Sequence, residues 1–300
     1  MPSPRFGQVI TAMVTPFDGA GALDTGRARA LVSYLIDHGS EGLVVCGTTG
    51  ESPTLTHEEK LSLFETVVDE SAGRAHVIAG TGTYSTDESI RLTKEAAELG
   101  VNACLIVTPY YSRPPQNGLL AHFRAVADAS SVPLIVYDIP GRTGRRVERD
   151  TMVELAGHGN IAAVKDAVGD PVETARLRAG LDAAGHGAFE IYSGDDVLLL
   201  PHIAAGAVGI VSVCSHLAGR RIKEVFSAWD NGKTEEARRA YLELLPLFST
   251  IMGVTTSPIP VKRALEILGV EVGKPRLPLV APTDAEERKI VAALEGAGLL

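Results

Sequence analysis

A lysine closes an apolar run in the stretch IAAVKDAVGD, residues 161–170. The four residues before Lys165 are typical of a buried strand, where a charge is costly. Keeping an ordinary lysine neutral at pH 7 costs about 4.6 kcal/mol, and burial reduces this cost by penalising the charged form. A neutral buried amine attacks carbonyl carbons and forms a Schiff base. The structural alternative is that Lys165 pairs with an acid such as Asp166 or Asp138.

Other polar residues also stand where apolar runs end. If Tyr137 and Lys165 face inward from neighbouring strands, strand alternation makes their side chains converge on one pocket. This cluster of hydroxyl groups favours the chemical interpretation of Lys165 over the structural one. Its members are Thr48, Thr49, Thr108, Tyr110, Tyr111, Tyr137 and Ser193, and the run ends also carry Asp138, Asp195 and Asp196.

Two further stretches suit anion binding. GTTGES, residues 47–52, predicts a tight turn with exposed backbone N–H groups that hold a carboxylate or phosphate, although a plain turn is the alternative. PGRTGRR, residues 140–146, places Arg142 where it could bind a substrate carboxylate, with surface charge as the alternative. Arg145 and Arg146 are assigned to the surface.

Eight short apolar runs alternate with amphipathic helical stretches. Runs this apolar suit strands that are buried on both faces, hence a parallel sheet. Eight strand–helix units predict an α/β protein with a (β/α)8 TIM barrel rather than a doubly wound open sheet, which usually has fewer strands. The runs are residues 9–17, 42–50, 76–82, 103–111, 133–141, 161–167, 189–196 and 208–213.

Helix signals support this reading. Capping boxes are predicted at Thr56–Glu59, Ser85–Glu88 and Thr283–Glu286, and Gly100 is predicted to end a helix. Residues 1–230 are expected to form the barrel, and residues 231–300 a helical region packed on it.

One helix of that C-terminal region carries a distinct apolar face. Pro246 is expected to kink or interrupt this helix. The predicted face comprises Tyr241, Leu244, Leu245, Phe248, Ile251 and Met252.

Composition excludes several classes of function. The 300 residues carry a net charge of −9, which argues against nucleic acid or a membrane surface as partner. The three cysteines are widely spaced, Cys46 and Cys104 lie in core-like runs, and no HExxH or CxxC predicts a metal. Without a signal layout or a span-length apolar run, a cytoplasmic protein is expected.

Five stretches, taken in order, resemble the dihydrodipicolinate synthase family of pyruvate-dependent aldolases. They are GLVVCGTTGES, LIVTPYYSRPPQ, LIVYDIPGRTG, VKDA and YSGDD, within a similarity that extends from Gly7 to Leu279. The resemblance implies a Schiff-base lyase with a (β/α)8 barrel. It would condense pyruvate with L-aspartate 4-semialdehyde to give 4-hydroxy-tetrahydrodipicolinate, in lysine (diaminopimelate) biosynthesis. It implies no cofactor beyond the covalent lysine imine with pyruvate.

Site roles also follow from the resemblance. It makes Lys165 the Schiff-base residue, Tyr137 the proton carrier, and Thr48 the link from Tyr137 to Tyr111. Tyr111 would reach into the active site of a neighbouring subunit, in a homotetramer built as a dimer of dimers. The substrate-binding residues would be Thr49, Gly50, Arg142, Gly194 and Val211.

A regulatory cleft for lysine is implied as well. Lysine-sensitive relatives often carry histidine where Lys60 stands and asparagine where Tyr84 stands. A cation and a bulky ring disfavour a cationic ligand, so lysine inhibition is predicted to be weak or absent. The corresponding positions are Ser52, His57, Lys60, Tyr84, Glu88 and Tyr110.

Two other functions compete with this reading. The first is another pyruvate aldolase, which would cleave a sugar acid. Arg142 and Tyr111 argue against it, because in the synthases they handle the semialdehyde and the proton relay. The second is a non-catalytic keto-acid sensor, which would need neither Lys165 nor Tyr137.

Overall fold

The computed structural model describes residues 4–300, and its eight strands form a closed barrel in chain order. β1 pairs with β2, and β3 to β8 pair in succession, always in parallel. The predicted (β/α)8 barrel is confirmed, and the open sheet is excluded. The strands are β1 Val9–Ala12, β2 Gly42–Val45, β3 His76–Gly80, β4 Ala103–Val107, β5 Leu134–Asp138, β6 Ile161–Asp166, β7 Glu190–Ser193 and β8 Gly209–Ser212.

Helices separate the strands and continue after β8. Thr56 and Thr283 form the predicted capping boxes, whereas Ser85 accepts from the Glu88 N–H without the reciprocal bond. The helices are α1 Thr25–Asp37, α2 His57–Ser71, α3 Thr86–Glu98, α4 Gln116–Ala129, α5 Pro140–Thr143, α6 Arg149–Ala156, α7 Pro171–Ala183, α8 Leu199–Ala204, α9 Ser215–Asp230, α10 Thr234–Gly253, α11 Ile259–Ile267 and α12 Asp284–Gly296.

The chain divides into two compact units, residues 77–211 and the remainder. In the remainder, α9 packs on β1 and α10, and α12 packs on α10 and α11. The boundary predicted at residue 230 falls in the turn between α9 and α10 and stays a prediction.

α10 runs unbroken through Pro246, so the expected interruption is wrong, whereas the expected kink stays a prediction. Pro246 is exposed, and buried side chains before and after it pack α10 against its neighbours, which outweighs the lost backbone hydrogen bond. The predicted apolar face is largely correct. However, Leu245 and Met252 are only half-buried, and Leu247 is buried in their place.

In residues 77–211, β5 and β6 form the centre of the strand array. Every residue of β5 is buried, as a parallel strand covered on both faces requires. Tyr137 lies opposite Lys165, and Asp138 lies opposite Asp166. The register therefore brings the predicted lysine and tyrosine side by side.

Among residues 4–300, no helix combines the length and the apolar character needed to cross a bilayer.

Gly273 supplies a stability test. A Cβ atom on Gly273 would lie 2.1 Å from the Phe17 carbonyl oxygen, and its φ is +68°. Gly232 has a similar φ of +73°, but a Cβ atom there meets no atom within 4 Å. Both alanine variants pay for a left-handed backbone, about 1–2 kcal/mol. We expect Gly273→Ala to lose about 1–3 kcal/mol more in urea unfolding, the range for overpacking. Equal losses would contradict the close approach.

Candidate active site

Lys165 and Tyr137 meet at the carboxyl ends of β6 and β5. The Lys165 Nζ atom lies 4.1 Å from the centroid of the Tyr137 ring. Lys165 is 6% exposed and Tyr137 is 5% exposed. Thr108 donates its hydroxyl to the Tyr137 carbonyl at 3.0 Å, which ties the end of β5 to β4. A buried amine thus stands beside a phenol on a rigid pair of strands.

The structural alternative for Lys165 is not realised. Across residues 4–300, no carboxylate forms an ion pair with its amine. Asp166 accepts the Thr174 hydroxyl at 2.6 Å and the Val168 N–H at 3.0 Å. Asp138 accepts the Val147 N–H at 3.2 Å. Both acids are engaged with the segments that follow their strands, so the amine is left available for chemistry.

A row of polar residues lies one register step beyond Lys165. Asp138, Asp166 and Ser193 face one another across β5, β6 and β7. Burial raises the pKa of Asp138 to about 7, and the Asp166 charge adds to the rise. The Val147 N–H and Arg146 oppose it. The sequence indicates Asp138 as a polar residue at the end of an apolar run and as a possible partner for Lys165, but not its raised pKa, because that depends on packing.

His202 continues this row from α8. Its Nδ1 lies 2.7 Å from the Ser193 hydroxyl, and the residue is fully buried. Burial lowers the pKa of His202, and the charge of Asp166 opposes that shift. His202 therefore stabilises the end of β7 through its contact with Ser193. Arg146, assigned to the surface from sequence, is instead half-buried and pairs with Glu173 at 2.9 Å.

Three predicted substrate-binding residues lie in the same unit. The Gly194 N–H donates to the Asp166 carbonyl at 2.7 Å, and a Cβ atom on Gly194 would lie 2.8 Å from Ala167. Only glycine fits this approach. Val211 is buried in β8, and Arg142 is exposed on the short helix α5, which directly follows β5.

The predicted anion loop, residues 47–52, follows β2 in the other unit. Thr49 and Gly50 are buried, and Thr48 is half-buried. The Thr15 hydroxyl donates to the Gly50 carbonyl at 2.6 Å, and the Glu51 N–H donates to the Thr48 carbonyl at 3.1 Å. The loop is therefore a closed turn that rests on the segment after β1.

The model of the Dihydrodipicolinate synthetase family matches residues 5–297. The chain belongs to the dihydrodipicolinate synthetase family. The 4-hydroxy-tetrahydrodipicolinate synthase of Thermosynechococcus vestitus is 50% identical over 296 residues, which cover 98% of each chain. That of Moorella thermoacetica is also 50% identical, over 99% of this chain and 100% of the relative. The crystal structure of the enzyme from Cyanidioschyzon merolae with lysine bound has a TM-score of 0.95 at 43% identity, covering 99% of this chain and 100% of that one.

This member of the dihydrodipicolinate synthetase family brings three of the predicted cleft residues together. The rings of Tyr84 and Tyr110 meet edge to face with centroids 5.3 Å apart. Burial raises the pKa of Tyr110, with smaller contributions from Tyr84 and Glu88. In the other unit, Ser52 opens a short 3-10 turn, and His57 and Lys60 lie in the first turn of α2.

Tyr111 stands out within this dihydrodipicolinate synthetase chain. Its side chain is 96% exposed, and its φ of +70° lies in the left-handed region, which non-glycine residues rarely adopt. Within a single chain the Tyr111 ring is therefore open to solvent, and its role in a neighbouring subunit stays a prediction.

A buried histidine missed from sequence supports β1. The Nε2 atom of His216 accepts the Val14 N–H at 3.1 Å, so its Nδ1–H donates to the Val213 carbonyl at 2.7 Å. Burial lowers the pKa of His216 to about 4, which keeps the ring neutral in this arrangement. No local motif marks this residue, because the partner of its Nε2 atom, Val14, is 202 positions away in the sequence.

Asp138 predicts a pH dependence of stability. Between pH 4 and 7 the native state holds a proton on Asp138 that the unfolded chain releases. The free energy of unfolding therefore falls as pH rises, by at most about 1.4 kcal/mol per pH unit. We expect Asp138→Asn to match the parent near pH 4 and to be more stable above pH 7. Urea unfolding across this range measures the difference.

The control is Asp150→Asn, since the Asp150 side chain is 92% exposed. Between pH 4 and 8, the stability difference from the parent should vary more for Asp138→Asn than for this control. If the two differences vary alike with pH, the raised pKa of Asp138 is wrong.

Proposed function

We propose that this chain condenses pyruvate with L-aspartate 4-semialdehyde through a Schiff base on Lys165, giving 4-hydroxy-tetrahydrodipicolinate in lysine biosynthesis. The reaction follows from family membership, with relatives of that name about 50% identical over the whole chain. The observation that supports Lys165 as its residue is a buried amine, free of any ion pair in residues 4–300, beside the Tyr137 ring.

The proposed chemistry begins at the Lys165 amine. It attacks the pyruvate carbonyl carbon, and loss of water gives an imine. Loss of a methyl proton converts the imine to an enamine, which replaces an unstabilised carbanion. The enamine carbon attacks the aldehyde of the second substrate. That substrate's own amine then displaces Lys165 and closes the ring. No external cofactor enters this scheme.

Proton transfer is proposed for three hydroxyl groups. Tyr137 would serve as the acid and base, because its phenol stands next to the reacting amine. Thr48 would link Tyr137 to Tyr111 of a neighbouring subunit. Near-complete exposure of Tyr111 supports this assignment.

Substrate carboxylates are assigned to two regions. Thr49 and the Gly50 backbone would hold the pyruvate carboxylate, since the buried turn after β2 offers N–H and hydroxyl donors. Exposed Arg142 would hold the carboxylate of the semialdehyde through paired hydrogen bonds. The Gly194 and Val211 backbones would line the surroundings of Lys165.

Assembly and location complete the proposal. The proposed state is a homotetramer built as a dimer of dimers, which the family resemblance implies. The role proposed for Tyr111 by itself requires at least a dimer. The proposed location is the cytoplasm.

Borohydride trapping tests the Schiff base. With pyruvate and borohydride, we expect a pyruvate-sized adduct on the peptide that contains Lys165, detected by intact mass and peptide mapping. Lys165→Ala should give no adduct, and trapping without pyruvate serves as the second control. An unmodified parent protein that is folded would refute the mechanism. A product assay with both substrates then separates the synthase from an aldolase that cleaves sugar acids.

Feedback by lysine is proposed to be weak or absent. The Lys60 cation repels a cationic ligand, and the Tyr84 ring, 59% exposed, occupies space beside Tyr110. Titration of the initial rate with L-lysine should show no strong inhibition at submillimolar concentration. The double variant Lys60→His/Tyr84→Asn should become more sensitive. Strong submillimolar inhibition of the parent enzyme would overturn this expectation.

A further inference from the structure

Glu51 occupies an uncommon backbone conformation within the anion loop. Its φ of 56° and ψ of 34° lie in the left-handed region, although it is not a glycine. Its N–H closes the turn onto the Thr48 carbonyl, and its carbonyl accepts from the Thr54 N–H at 2.9 Å. Such a conformation persists only where the surroundings hold it.

The side chain of Glu51 is held at both oxygens. Oε1 lies 2.6 Å from the Lys262 Nζ atom, and Oε2 accepts the Arg276 N–H at 2.8 Å. The side chains of Glu51 and Lys262 are 0% and 1% exposed. This charge pair is therefore sealed from water, between the anion loop and α11.

The partners of Glu51 are themselves fixed. Lys262 Nζ lies 4.3 Å from the centroid of the Phe17 ring, and the guanidinium carbon of Arg276 lies 4.2 Å from the same centroid. Arg276 also pairs with Glu59 and donates to the Thr54 carbonyl at 2.9 Å. The carboxylate of Glu51 is thus held by the Lys262 amine and the Arg276 N–H, and both partner residues have further contacts of their own.

Stability alone does not explain this pair. Desolvating two charges is expensive, and well-packed apolar residues often stabilise a core as well or better. What a buried ion pair supplies instead is a fixed geometry, because moving either charge leaves the other unpaired. Glu51 is the second residue after Thr49, so this geometry is transmitted along a short stretch of backbone.

We propose that the buried Glu51–Lys262 pair is a positioning device that fixes the Thr48–Thr49 turn for the pyruvate carboxylate. Glu51 and Lys262 act through the turn and do not touch substrate. This inference rests on the proposed function, which gives Thr49 its contact with pyruvate. It makes the C-terminal helix α11 part of the substrate-binding apparatus.

Glu51→Gln is the first variant to measure. The amide keeps the acceptor for the Arg276 N–H, and Lys262 can shed its proton, so no charge is stranded. We expect KM for pyruvate to rise about tenfold or more, as small displacements of binding groups cause. kcat at saturating pyruvate and KM for the semialdehyde should change less, by under about threefold. Borohydride trapping at graded pyruvate gives the same half-saturation without the second substrate.

Two further variants separate positioning from folding. Glu51→Gln/Lys262→Met removes both charges and should also show the raised KM, with a melting temperature near that of the parent. Arg263→Met is the matched control, because Arg263 neighbours Lys262 on α11 and pairs with Glu287 at 2.6 Å, away from the loop. Its KM for pyruvate should stay within about twofold of the parent value.

The outcomes are distinct. A folded Glu51→Gln or double variant with KM for pyruvate within twofold of the parent overturns the proposal, as does failure of both variants to fold, which would assign the pair to folding alone. A parent protein that forms no adduct on Lys165 overturns the proposed function instead. A raised KM in the two variants, and not in Arg263→Met, establishes the positioning role.

Discussion

The register of β5 against β6 is the constraint on which the rest of the site depends. It sets Tyr137 opposite Lys165 and Asp138 opposite Asp166. A shift of one residue would turn the side chains of one strand to the other face and separate both pairs. The carboxylates of Asp138 and Asp166 accept hydrogen bonds from Val147, Val168 and Thr174. These bonds, made with the segments that follow each strand, stabilise the register. The register that pairs β5 with β6 therefore also places Lys165 beside Tyr137.

Two buried lysines show how burial separates roles. Lys262 is sealed against Glu51 and lies over the Phe17 ring, and burial lowers its pKa while the Glu51 charge opposes that change. Lys165 is almost as buried, yet its amine lies over the Tyr137 ring and forms no ion pair with a carboxylate of residues 4–300. A paired amine is held in place by its counter-charge. An unpaired one is free to react with a carbonyl carbon.

The sequence predicted most of the fold and the central pair of the site. Parallel strands buried on both faces are visible as apolar runs, and Lys165 and Tyr137 interrupt two of them at their ends. The capping boxes at Thr56 and Thr283 could also be predicted, because they depend on residues only three positions apart. Pro246 does not interrupt α10, because helix packing overrides the local preference. The sequence does not indicate the contacts Glu51–Lys262 and His216–Val14. Residues about 200 positions apart leave no local pattern.

The hydrogen bond from the Arg276 N–H to Glu51 joins a residue that the ribosome makes early to one that it makes late. These residues are 225 positions apart, so the carboxylate that shapes the turn after β2 finds its backbone partner only when most of the chain exists. A ribosome that has finished the strands still holds a chain without α11 and the segment after it. Closing such distant contacts is slow compared with local helix formation. The nascent chain can therefore complete its strands well before the turn after β2 acquires its partner from residue 276.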